Sequence, residues 1–161
     1  MRTDWEYELT DLLNGLSSVQ TELLEVLGEK RKHLVTSDIN GLAALQPREQ
    51  DLLDRLQTCH DRRSALLNRA ADEGLPNESV RELASSLPAD GGDDLGARIN
   101  EATGRARLVQ HHSLTNWVLV QRTLIHLSQM LEIIATGGRM KPTYGEGGRT
   151  DAGGSLVDQA A

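Results

Sequence analysis

Histidine and cysteine are the residue types in this sequence that most readily carry chemistry, and their spacing assembles no site. His111 and His112 are adjacent, so on a helix they point about 100° apart and cannot share a metal ion in the i, i+4 manner. Cys59 and His60 offer two metal ligands, but no second pair follows at zinc spacing. Structural or solvated roles are therefore expected for all four residues, and no metal or cofactor is predicted.

The acidic residues follow a pattern typical of a solvated helix face rather than of a catalytic pair. Asp51, Asp54 and Asp61 are interspersed with four arginines, as on an ordinary exposed face. The run Gly145–Gly148 lacks the flanking strand, helix and lysine of a phosphate-binding loop. Nothing in the sequence therefore predicts an enzyme, and no catalytic residue is proposed.

Composition favours helices packed on helices. The 161 residues include 26 leucines, no phenylalanine and four aromatic residues in all, which is unlike the composition of β-rich proteins. A net charge of −7 argues against nucleic acid as a partner. The most apolar window, Trp117–Ala135, is interrupted by polar residues and predicts no membrane insertion. A single cysteine, Cys59, and the absence of a secretory signal at the start favour a cytoplasmic location.

Apolar residues repeat at steps of three and four along most of the chain, which is the spacing of helices that pack side by side. The predicted fold is all-α: an antiparallel long-helix hairpin plus a second long helix, in a coiled-coil-like bundle of three or four helices. The bundle is expected to cover residues 3–135, followed by a Gly-rich tail, 136–161, that is disordered in the free protein. The predicted helices are about 4–34, 38–72, 78–87 and 94–135.

Helix boundaries are predicted from capping residues and prolines. Thr3 is the expected first N-cap, Ser37 or Asp38 the second and Asn77 the third. Pro47 lies inside the second helical pattern, where it predicts a kink or a restart.

The last long helix carries more apolar surface than one packing seam needs. Twelve of the 19 residues in Trp117–Ala135 are apolar. A single seam, expected to lie in the core, uses Trp117, Val120, Leu124, Leu127, Leu131 and Ile134. Two explanations stay open: burial against neighbouring helices or a second copy, and a surface for a partner helix. The predicted partner-binding residues are Val118, Leu119, Ile125, Met130, Ile133 and Ile134.

Two motifs and their order along the chain resemble the FlgN family of flagellar export chaperones. The first is the turn Val-Thr-Ser-Asp-Ile-Asn-Gly-Leu-Ala-Ala-Leu at 35–45, which joins the two leucine-rich helices of the hairpin. The second is Tyr144-Gly145-x-x-Gly148 in the tail after the last helix. The resemblance implies a cytoplasmic chaperone of the hook–filament junction proteins FlgK and FlgL. It also implies that the C-terminal region binds the helical terminus of the substrate and that Tyr144 docks at the export gate.

Two other functions remain compatible with the sequence. One is that of the sister class of export chaperones, which serve the filament cap and are also helical hairpins. The other is a structural coiled-coil adaptor or homo-oligomer, in which self-association through the last helix would cover the surplus apolar residues.

Overall fold

The computed structural model describes residues 4–138, and within 89–93 it describes the backbone alone. Four helices follow one another without any strand in this part of the chain: α1 (Asp4–Val35), α2 (Ile39–Asp72), α3 (Val80–Ser86) and α4 (Ala89–Thr136). The predicted all-α class and long-helix bundle are confirmed. The tail predicted to be disordered begins at 136 and lies almost wholly outside the described residues.

The turn between α1 and α2 is built by the residues of the first motif. Ser37 adopts the left-handed conformation, with φ of 54°, which reverses the chain. Asp38, one of the two predicted caps, is the N-cap: its carboxylate accepts the backbone N–H of Gly41 at 2.9 Å. The same carboxylate lies 2.9 Å from Nδ1 of His33. A Cβ at position 41 would collide with both His33 and Asp38, so this close approach requires glycine.

Two boundary predictions differ from the structure, and at Pro47 one of two alternatives is wrong. Ser79, not Asn77, caps α3, because its hydroxyl accepts the N–H of Glu82 at 3.1 Å. The last helix begins at Ala89 rather than near 94, directly after Pro88, and a proline is well tolerated at a helix start because no N–H is needed there. At Pro47, α2 continues as one helix, so the restart is wrong, while the alternative of a kink stays a prediction.

The core follows α1, which contributes more buried residues than any other helix whose burial is described in full. One cluster joins Leu9, Leu12 and Leu13 of α1 to buried residues of α2, α3 and α4. A second, smaller cluster joins Val19, Leu23 and Val26 of α1 to Leu52 of α2. In the middle of α2, between these clusters, the seam residues are only partly buried or exposed: Leu56, Cys59 and Arg63.

Buried amides fix the register of α4 against α1. Nε2 of Gln20 donates to the carbonyl of Ala102 at 3.0 Å, and Nδ2 of Asn116 donates to the carbonyl of Leu27 at 2.9 Å. Both amides are less than 5% exposed. Residue numbers rise together along both helices, so α1 and α4 run parallel while α1 and α2 run antiparallel. A buried amide group that lost its partner would destabilise the protein, so both hydrogen bonds favour this register.

The chain divides into two compact units, Met1–Thr123 and Leu124–Ala161, with the division inside α4. The first unit holds α1, α2, α3 and most of α4. In the second unit the described residues are the last turns of α4 and the two glycines that follow, Gly137 and Gly138. Both glycines have positive φ, as is common where a helix ends.

Candidate partner-binding surface

The described part of the second unit is a helix without a buried side chain. All residues from 124 to 138 are exposed. Its seven large apolar side chains are between 43% and 73% exposed: Leu124, Ile125, Leu127, Met130, Leu131, Ile133 and Ile134. We call these seven residues the terminal apolar surface. Four of them, at positions 125, 130, 133 and 134, are predicted partner-binding residues.

The expected burial of the last seam is wrong. Leu124, Leu127 and Leu131 are about half exposed or more, and Trp117, assigned to the core, is 59% exposed. The neighbouring residue Asn116 is buried and donates to the carbonyl of Leu27, so α1 lies beside α4 at this level and Trp117 stands on a side of α4 that α1 does not cover. Periodicity identifies an apolar stripe, but it does not say which parts of the stripe another helix covers.

The remaining predicted partner-binding residues stand in the first unit or beyond the described part. Val118 is exposed and Leu119 is partly exposed, and both lie on α4 in the first unit. Tyr144, the predicted docking residue, lies outside the described residues, so its role stays a prediction.

The other tryptophan, Trp5, lies at the edge of the first core cluster and is partly buried. Its indole N–H donates to a carboxylate oxygen of Glu73 at 3.1 Å. The guanidinium of Arg69 lies over its ring, 4.0 Å from the centroid. These contacts tie the start of α1 to the end of α2, so Trp5 has a structural role.

The residues first considered for chemistry are placed in structural contacts. Arg31 donates to Nδ1 of His112 at 2.7 Å, which links α1 to α4. The rings of His111 and His112 meet edge to face, with centroids 5.8 Å apart. Cys59 is a partly buried free thiol beside the first core cluster. Within residues 4–138, no group of three or more His, Cys, Asp or Glu residues is placed to hold a metal ion.

Ion pairs across the hairpin account for many of the charged residues of α2. The N···O distances between α2 and α1 are 2.8 Å for Glu49–Lys30, 2.9 Å for Arg55–Glu22, 2.7 Å for Arg62–Asp11 and 2.8 Å for Arg69–Glu8. Such exposed pairs contribute about 0–1 kcal/mol each. Hydrogen bonds from Arg55, and then from Ser18, lower the pKa of the Glu22 carboxyl, while Glu22 raises the pKa of Arg55. These paired carboxylates therefore have a structural role in joining α1 to α2.

The sequence analysis missed an open apolar groove in the first unit. It has a volume of about 550 Å³. Leucines of α1 such as Leu16 line it, together with Leu56 and Cys59 of α2 and Ala106 and Val109 of α4. A partial signal was present in the sequence: Arg63 interrupts the apolar residues at steps of three and four in α2, and the corresponding pattern of α4 contains the small residues Ala102 and Ala106.

None of the helices in the described residues has a stretch long and apolar enough to span a bilayer. Comparison with protein families gives one result: the family model described as "FlgN protein" matches residues 1–152. The matched range includes all four helices and the Tyr-Gly-x-x-Gly motif of the tail. No curated protein and no solved structure matches the chain significantly.

Proposed function

The chain belongs to the FlgN family of flagellar type III export chaperones, and from that premise we propose a specific task for it. It binds the helical termini of hook–filament junction proteins of the FlgK and FlgL type in the cytoplasm and delivers them to the export gate. The binding surface is the terminal apolar surface, with Val118 and Leu119 as further contacts, and Tyr144 is the docking residue.

The terminal apolar surface is the observation that supports this proposal most directly. Seven large apolar side chains in 11 consecutive positions are 43% or more exposed, whereas scattered single apolar residues are the norm on a protein surface. Five of the seven repeat at steps of three and four and so share one face of the helix: Leu124, Leu127, Met130, Leu131 and Ile134. An amphipathic helix binds another helix through such i, i+3, i+4 and i+7 contacts, and Ile125 and Ile133 extend the apolar surface beyond that face. An export chaperone of this kind needs no chemistry, because covering an apolar helix of the substrate is sufficient.

The formation of a complex between purified proteins tests the proposal. The chain and a FlgK-like junction protein are mixed, and the molar mass of the eluting species is measured by size-exclusion chromatography with light scattering. A stable complex is expected with the full junction protein and not with a version that lacks its terminal helices. Absence of any complex over a wide concentration range would refute the proposed partner.

The second candidate is a structural coiled-coil scaffold that self-associates through the last helix. The same exposed residues favour it, because a second copy could cover them equally well. It predicts a molar mass that rises with concentration and that falls when Ile125 and Ile133 become aspartate. A mass that stays monomeric at all concentrations excludes this candidate and leaves the chaperone proposal intact.

A further inference from the structure

We propose that the groove of the first unit is a second binding surface, which takes one amphipathic helix with acidic residues beside its apolar stripe. This helix belongs to a partner protein. The groove is made only of residues from Leu12 to Gln110, so it shares no residue with the terminal apolar surface. The inference therefore does not depend on the function proposed above.

The shape of the groove suits a helix. Its α1 lining extends from Leu12 to Leu23 and its α4 lining from Ile99 to Gln110. Each stretch covers 11 steps, or about 17 Å of helix, which is three turns. Residues of α1, α2 and α4 line the groove together with Ser79, Val80 and Arg81 at the start of α3. The open space along the three long helices has the length that a further helix of a bundle would occupy.

The surface of the groove is apolar and unfinished. Leu56 and Cys59 of α2 and Val109 of α4 are seam residues, yet all three are only partly buried. On the α4 side, Ala106 is small and exposed, so the backbone of an incoming helix can come close there. A helix in this position would complete the burial between the two core clusters.

The charge of the groove selects the partner. In a chain of net charge −7, the groove is lined by Arg63, Arg81 and His60 and by no aspartate or glutamate. Arg63 is exposed and makes no hydrogen bond or ion pair with any residue in the described range, in contrast to the hairpin arginines. Arg81 donates to the side-chain oxygen of Asn100 at 2.8 Å and has further N–H groups available. Carboxylates on the partner helix would pair with these two cations, whereas a basic helix would be repelled.

Two synthetic peptides test this proposal with the full chain. Both are fluorescein-labelled helices of about 12 residues, or three turns, with leucines at three- and four-residue spacing. One carries glutamates beside the leucine stripe and its twin carries lysines. Fluorescence anisotropy is expected to show about tenfold tighter binding of the glutamate peptide, with a smaller difference at high salt. Equal binding of the two peptides would overturn the proposal.

Variants locate the binding. Arg63→Glu with Arg81→Glu is expected to reverse the peptide preference, while the matched control, Arg107→Glu with Arg122→Glu, changes the net charge equally away from the groove. Ala106→Trp fills the groove from an exposed position of α4 and is expected to abolish binding with unchanged helix content by circular dichroism. If the tryptophan variant binds as well as the wild type, the groove is not the site.

Two further outcomes would contradict the proposal by showing that something other than a partner helix occupies the groove. If the glutamate peptide binds only after deletion of the residues beyond Gly138, the tail of the chain occupies the groove. If the glutamate peptide binds only when the protein is diluted below the concentration at which light scattering shows a dimer, a second copy of the chain occupies the groove. Binding of the peptide to the full-length monomer supports the proposal.

Discussion

Replacing Ile125 and Ile133 by aspartate is expected to weaken the binding of a FlgK-like junction protein by about 10- to 100-fold. Both side chains belong to the terminal apolar surface and are 57% and 43% exposed. The exposed area of the two side chains together is roughly that of one fully exposed isoleucine, and a partner could cover it. Full burial of such a side chain contributes about 1.5–3 kcal/mol, and 1.4 kcal/mol corresponds to a tenfold change in affinity. Burying a carboxylate in the interface adds to the loss.

Isothermal titration calorimetry with the junction protein measures the effect. The matched control is Leu108→Asp with Leu114→Asp, since these side chains are 50% and 59% exposed on α4 but lie outside the terminal apolar surface. Both double variants carry the same helix-propensity cost, about 1 kcal/mol or less for two aspartates, so circular dichroism should show the same helix content. Wild-type affinity in the Ile125 and Ile133 variant, or an equal loss in the control, would refute the reasoning.

Four more predictions follow from the contacts described above. Leu9→Ala, at a fully buried position, should lower the free energy of unfolding by about 3 kcal/mol in urea titrations; a loss below about 1 kcal/mol would contradict its place in the core. Gly41→Ala should lower the thermal midpoint, because the new Cβ collides with His33 and Asp38, and an unchanged midpoint would show that the turn can relax. The pKa of Asp38 is lowered by the Gly41 N–H and then by His33. The ionised carboxylate of Asp38 therefore stabilises the fold at a pH above the ordinary aspartate pKa, and this stabilisation is lost as the pH falls through the lowered pKa of the folded protein. The difference in the free energy of unfolding between wild type and Asp38→Asn should narrow on acidification. Deletion after Gly138 should preserve helix content and weaken partner binding; unchanged affinity and unchanged export would refute a role for the tail.

Local signals in the sequence were sufficient for the helices and for most of their ends. Leucine at steps of three and four predicted α1, α2 and α4, because side chains at those steps share one helix face. Asp38 was identifiable as one of two caps, since a short side-chain oxygen before a helix can accept a free N–H. Asn77 was a reasonable cap on the same grounds, and the structure uses Ser79 instead. Two capping residues so close together are equivalent until the packing of the helix decides between them.

The two surfaces were predictable to different degrees. The terminal apolar surface was visible as an excess of apolar residues over one seam, because that excess is a property of composition and period. The groove was not predicted, because it depends on the distance between α2 and α4 across α1. Arg63 follows the three- and four-residue steps of the apolar residues of α2, and only the tertiary structure shows that it lies beside the groove.

By itself the sequence determined an all-α chain of long helices, the hairpin turn at 35–45 and the likeness to the FlgN family, since each depends on residues close together along the chain. The tertiary structure decided which apolar stripes are covered. Asn116 is buried against the carbonyl of Leu27, whereas the next residue, Trp117, is exposed although its spacing is that of a core residue. The burial of a side chain depends on which residues pack against it, and those residues come from distant parts of the chain that only folding brings together.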